Sequence, residues 1–213
     1  MAEIGMKHIL KDNKICAIMR NVPTEKAVSY ARACFEGGIR MFEVAMNTPE
    51  GAKQIAMLRK EFSGQQVYVG AGTVINLERC KAAEDAGAQF FLTPNVAECT
   101  LKYCKERQIP LLPGVMTPTD VGVCLDYGYD IMKLFPAGDM PMSYIKSLKG
   151  PFDGTQYVAV GGVKLENIAD FMKAGFVGVG IGSNLIPKEL VAEDAWKKAA
   201  SYVEKYFDQI KEE

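Results

Sequence analysis

The sequence predicts an α/β fold, a (β/α)8 barrel, on three observations. Short apolar runs of strand type alternate eight times with longer stretches of helical period. The runs are continuously apolar rather than alternating, so both faces of their sheet are buried. The helical stretches open on capping residues and stop on glycine. Eight strand–helix repeats in 213 residues leave few architectures. A closed barrel is the simplest, and a doubly wound open sheet is the alternative. No linker, low-complexity segment or composition shift divides the chain. Residues 1–213 therefore read as one barrel domain.

Taken in order, an extra helix at 2–11 precedes the first strand, KICAIMR at 14–20. The helix at 24–37 opens on Thr24, Glu25 and Lys26 and stops at Gly37-Gly38. Strand RMFEVAM at 40–46 leads to a helix at 49–62, opened by Thr48-Pro49-Glu50 with proline in its first turn. Strand QVYVGAGT at 66–73 precedes a helix at 77–86 that stops at Gly87. QFFLTPN at 89–95 precedes a helix at 98–107. IPLLPGV at 109–115 precedes a helix at 117–127, opened by Thr117-Pro118-Thr119-Asp120 and closed by Gly128. IMKLFP at 131–136 and a helix at 142–148 follow, then YVAVGG at 157–162 with a helix at 165–174 that stops at Gly175. VGVGIGS at 177–183 and a helix at 192–211 complete the series.

Composition excludes several classes. Hydrophobic residues make up 48% and charged residues 24%, an ordinary globular balance. The 25 Lys+Arg nearly cancel the 26 Asp+Glu, and no basic run speaks for nucleic acid. No stretch approaches the roughly 18 apolar residues needed to span a bilayer, so no membrane role is expected. The first 13 residues carry Glu3, Lys7, Lys11 and Asp12 with no apolar segment, unlike a signal peptide, and a cytoplasmic location is expected. Six scattered cysteines form no C-x-x-C pair and read as reduced thiols. With His8 the only histidine, neither a zinc site nor a histidine-based triad is expected. No metal or cofactor is expected.

Charges inside the strands are more informative. Lys14 and Arg40 open strands and Arg20 closes one, where water is in reach. Only Glu43 and Lys133 sit well inside. Inward-facing Glu43 brings Met41, Ala45 and Asn47 to the same face, and inward-facing Lys133 brings Ile131 and Phe135. One reading is a buried structural ion pair, which adds little stability because desolvation offsets attraction. The other is chemical. An amine among apolar residues has its charged form disfavoured and becomes a nucleophile that forms a Schiff base with a ketone. A neighbouring carboxylate moves the protons this requires.

Glycines cluster at the ends of the seventh and eighth strands, Gly161-Gly162 and Gly180, Gly182 with Ser183. Barrels of this type bind phosphate there on backbone N–H groups, although such glycines also simply turn a chain. Gly70-Ala71-Gly72-Thr73 fits no dinucleotide or nucleoside triphosphate motif. Thr73, Thr93 and Asn95 stand at strand ends, where substrate contacts and ordinary caps look alike.

F-E-V-A-M-N-T at 42–48, G-A-G-T at 70–73, P-G-V-M-T-P at 113–118, K-L-F-P at 133–136, V-G-G-V at 160–163 and G-I-G-S at 180–183 follow in order. From about Lys14 to Pro187 the chain thereby resembles the class I aldolases that cleave 2-keto-3-deoxy-6-phosphogluconate. The resemblance implies a metal-free (β/α)8 barrel, commonly a homotrimer, acting on a phosphorylated keto-sugar acid and releasing pyruvate. It implies Lys133 as the Schiff-base lysine and Glu43 as the general acid/base. Thr73 and Arg20 would hold the pyruvate-derived carboxylate, and Gly161, Gly162, Gly182 and Ser183 the phosphate. Phe135 would pack beside the lysine, and Pro94 would shape the pocket floor.

Two positions depart from the gluconate pattern. Asn47 stands where those members often carry arginine, and Val160 where they carry threonine. Both, with T-P-N at 93–95, resemble the sister aldolases acting on 2-keto-3-deoxy-6-phosphogalactonate. M-T-P at 116–118 and K-L-F-P-A at 133–137 resemble the gluconate or mixed branch, which also cleaves 4-hydroxy-2-oxoglutarate. Arg20 is a replacement cation for the missing arginine, and the C4 epimer stays open. Two other classes compete. A phosphate-binding isomerase or decarboxylase would lack the imine, and a non-catalytic phosphate-binding barrel would lack turnover.

Overall fold

The computed structural model describes residues 5–210. Nine parallel strand segments form one sheet that curls into a nearly closed barrel. They are β1 (Ile15–Met19), β2 (Met41–Ala45), β3 (Tyr68–Gly72), β4 (Phe91–Leu92), β5 (Leu111–Leu112), β6 (Gly114–Val115), β7 (Ile131–Leu134), β8 (Gln156–Val160) and β9 (Gly178–Ile181). The order is β5-β4-β3-β2-β1-β9-β8-β7-β6.

The ninth segment corrects the expectation of eight continuous strands. The fifth predicted strand is broken at Pro113, which has no N–H to donate. Below the break, β5 pairs with β4 (Phe91 with Leu111). Above it, β6 pairs with β7 (Gly114 with Lys133). The Gly114 N–H reaches the Thr93 hydroxyl instead, at 3.0 Å. Thr93 is thus wholly buried and holds this seam rather than facing a ligand.

Among the described residues ten α-helices pack on the barrel: α1 (Met6–Asp12), α2 (Ala27–Glu36), α3 (Gly51–Glu61), α4 (Leu77–Asp85), α5 (Glu98–Arg107), α6 (Pro118–Asp126), α7 (Tyr144–Lys149), α8 (Ile168–Ala174), α9 (Lys188–Ala192) and α10 (Trp196–Ile210). The residues of the predicted first helix before Gly5, and Lys211 of the last, lie outside the described residues. The last predicted helix starts later than expected, at Trp196, after Asp194, whose φ of 52° is left-handed, and the short α9 ahead of it was not expected.

Thr117 caps α6 with a full capping box to Asp120, as expected. Thr24 and Thr48 do not cap. Thr24 opens a short 3-10 turn ahead of α2, and the Thr48 hydroxyl donates back to the Ala45 carbonyl at 3.3 Å. Asn76 caps α4 unexpectedly, accepting the Arg79 N–H at 2.9 Å. Among the described residues no helix is long and apolar enough to cross a membrane.

Strand parity sorts the core into two bodies. Outward residues such as Phe42, Val44, Val69, Phe91, Met132, Leu134, Tyr157 and Val179 pack under the helices. Each such large side chain, fully buried, contributes about 1.5–3 kcal/mol of hydrophobic stabilisation. Inward residues Cys16, Ile18, Met41, Phe90, Leu92, Leu112, Ile131, Val158 and Val160 fill the barrel. Met6, Ile9 and Leu10 of α1 join this inner body and plug the N-terminal end of the barrel. The interior is thereby closed at its N-terminal end.

Candidate active site

Among the described residues Glu43 and Lys133 are the only charged side chains that are buried, at 1% and 5% exposure. Their strand neighbours Phe42, Val44, Met132 and Leu134 all face the helices. Parity alone therefore turns Glu43 and Lys133 into the barrel. They do not form the structural ion pair that one reading of the sequence allowed. Glu43 Oε2 is buried without a hydrogen-bond partner, and none of the described ion pairs involves either residue.

Burial dominates both ionisations. It raises the Glu43 carboxyl above the ordinary range, against the opposing pull of Lys133 and Arg20. It lowers the Lys133 amine, with Glu43 and Cys16 acting to raise it and Arg20 adding to the fall. An acid pushed up beside a base pushed down brings the two ionisations closer together. Lys133 Nζ lies 4.9 Å from the centre of the Phe135 ring, which is partly exposed at the mouth.

Arg20 follows β1 and its exposed guanidinium spans the rim. One nitrogen donates to Asn47 Oδ1 and another to Thr73 Oγ1, both at 3.1 Å. Three residues from three strand ends are brought together by one fork. Thr73 has φ 59°, an uncommon conformation for a β-branched residue. The Arg79 guanidinium holds its carbonyl at 3.0 Å.

On the opposite rim Gly161 and Gly162 have φ of 90° and 76°, conformations that favour glycine. The Gly161 carbonyl accepts from Gly138, and the Gly162 carbonyl accepts from the Asn167 amide. These glycines do turn the chain. The turn leaves Gly162 and Ser183 exposed, with Gly161 and Gly182 half-buried beside them. Pro94 is half-buried and Asn95 exposed at the end of β4. Val160 points into the barrel, against the Gly180 backbone, and not outward against a helix.

Two neighbours escaped the sequence reading. Cys16 faces the interior, where burial and the Glu43 carboxylate keep its thiol protonated. Its parity with Arg20 on β1 was the available signal. Gly72 faces the Glu43 side chain across the neighbouring strand. Among the described residues no three His, Cys, Asp or Glu side chains group as metal ligands.

Residues 6–202 match the family model of the KDPG and KHG aldolases. A 2-dehydro-3-deoxy-phosphogluconate aldolase of Treponema pallidum is 34% identical over 79% of this chain and 80% of its own. A 2-dehydro-3-deoxy-6-phosphogalactonate aldolase of Escherichia coli is 30% identical over 92% of this chain and 96% of its own. A solved KDPG aldolase of Legionella pneumophila, holding pyruvate as a covalent carbinolamine, superposes with TM-score 0.85. It is 26% identical and covers 92% of this chain and 95% of its own. With buried lysine and glutamate inside a parallel barrel and these relatives beside it, the chain belongs to the KDPG and KHG aldolase family.

Proposed function

We propose that this chain cleaves 2-keto-3-deoxy-6-phosphogluconate to pyruvate and glyceraldehyde 3-phosphate through a Schiff base on Lys133, and also cleaves 4-hydroxy-2-oxoglutarate. The observation that carries this is the buried, inward-facing Lys133 amine beside the unpartnered Glu43 carboxylate. The amine adds to the C2 ketone carbon to form a carbinolamine, the species named for the Legionella relative. Loss of water gives an iminium, an electron sink for the C3–C4 bond. Glu43 takes the C4 hydroxyl proton, and the C3–C4 electron pair moves to the iminium nitrogen as the bond breaks. Glyceraldehyde 3-phosphate leaves. The enamine takes a proton at C3, and water releases pyruvate and the free lysine.

Arg20 and Thr73, already joined, bind the carboxylate of the substrate. Gly161, Gly162, Gly182 and Ser183 receive the phosphate. Phe135 and Pro94 wall the pocket. Asn47 and Val160 set specificity, and a specific observation favours a second substrate through them. Asn47 is engaged by Arg20 and Val160 presents methyl groups to the interior. Neither rewards one C4 configuration, so the galactonate epimer is cleaved as well. The family resemblance supports a homotrimer, and six cysteines with none in a disulfide fit a cytoplasmic, reducing compartment.

The test is borohydride trapping with pyruvate. A reduced pyruvate adduct on the peptide carrying Lys133, with no turnover after Lys133→Arg, is the expected result, because a guanidinium stays protonated. An adduct on Lys146 or Lys149, or none, rejects the assignment.

A further inference from the structure

We infer that Gly72 is a positioning residue for the acid/base of this site: the side chain it lacks is the space that holds the Glu43 carboxylate. The inference rests on the role proposed for Glu43. Gly72 ends β3 opposite Ala45, while Glu43 pairs with Gly70 one inward step lower. The Glu43 side chain therefore leans across the neighbouring strand toward the mouth. A Cβ built on Gly72 would fall on Glu43 Oε1 and Cδ, and would lie 2.7 Å from Glu43 Cγ.

Backbone conformation does not call for glycine here, since Gly72 is not among the residues of left-handed φ. Glycine weakens a strand interior and marks close approach of another group. In this strand that group is a carboxylate. The strand has no freedom to retreat. The Gly72 carbonyl accepts from Met46 at 2.8 Å, and Ala71 donates to Phe90 on the other side at 2.9 Å. The carboxylate is 1% exposed in a packed interior, so a new methyl group displaces it rather than sharing its space.

Five variants test this: Gly72→Ala, Glu43→Gln, Glu43→Ala, and Gly72→Ala combined with each of the two Glu43 changes. Gly72→Ala should behave like Glu43→Gln. Cleavage and exchange of pyruvate methyl protons should fall together by on the order of 10²-fold, the effect of about 1 Å of misplacement. Borohydride should still trap pyruvate on Lys133. Adding Gly72→Ala to Glu43→Gln should cost little more, because the two act through one group.

A melting cycle covers the case in which Gly72→Ala does not fold. With Glu43→Ala the space is vacated, so Gly72→Ala should fold and leave Tm nearly unchanged, while in the wild type it lowers Tm. Wild-type turnover in Gly72→Ala, or an equal loss of Tm in both backgrounds, overturns the inference. An active Glu43→Gln with the melting cycle intact rejects the role of Glu43 instead, and leaves Gly72 as its housing.

Discussion

Replacing Lys133 by methionine should destroy activity and stabilise the protein at acid pH. The structure supplies the size of the effect. Methionine nearly matches the volume of a side chain that is 5% exposed, though one atom shorter, so imperfect repacking costs about 1.5 kcal/mol or less. The cation over the Phe135 ring is lost, worth up to about 2 kcal/mol when desolvated. Against both stands the removal of a buried ammonium, whose effective desolvation is on the order of several kcal/mol.

The balance favours methionine by roughly 1–2 kcal/mol. For a chain of this length that is about 2–8 °C in Tm. The sign depends on pH. The amine's pKa is lowered in the fold, so between that value and the ordinary lysine range the unfolded chain binds the extra proton. Wild-type stability therefore rises with pH across this window, and the advantage of methionine shrinks. Removing the amine, which pulls the Glu43 carboxyl down, leaves burial to raise it further, so the variant's Glu43 favours its neutral form more than wild type does. Thermal melts from pH 5 to 9 read both effects. A Lys133→Met protein that melts below wild type at pH 5 would refute the reasoning.

Glu43→Gln should slow cleavage and pyruvate proton exchange together by about 10²–10⁴-fold. Cleavage lost with exchange at the wild-type rate would put the enamine proton on another residue. Chelators should leave turnover intact, and activity lost to a chelator and restored by a divalent ion would count against the imine route. Val160→Thr should shift the ratio of cleavage rates for the two C4 epimers toward gluconate. One hydrogen bond, about 0.5–1.5 kcal/mol, predicts roughly a 2- to 13-fold change. A wild type selective for gluconate with an unmoved ratio would show that Val160 does not meet substrate.

Strand positions and parity were legible because both read directly from local composition. Glu43 and Lys133 stood out because a charge within an apolar strand breaks the local rule. The break at Pro113 was less legible. Proline was visible there, but at the seam it leaves, the Gly114 N–H is satisfied by Thr93, 21 residues earlier in sequence. Thr24 and Thr48 misled for a related reason. A threonine before a helical run has two local uses, and the neighbouring backbone chooses between them. The partners of Arg20 lie 27 and 53 residues away, and a local pattern carries no distances of that kind. Gly72 was visible as part of G-A-G-T, but its reason lies on the adjacent strand.

The sheet closes between its first and last strands. β9 pairs with β1, Cys16 facing Gly180, and Val179 donates to the Lys14 carbonyl at 2.8 Å. The interior that depresses the Lys133 amine is thus complete only when residues near the C-terminus have met residues near the N-terminus. On the ribosome, Lys133 emerges well before β9 exists. Until then it is a hydrated lysine, protonated at neutral pH and inert toward the reactive carbonyl compounds of a cell. The same dependence holds in any locally opened state that separates β1 from β9. The burial that lowers the Lys133 amine is thus a property of ring closure, completed by the last strand and lost whenever that strand leaves.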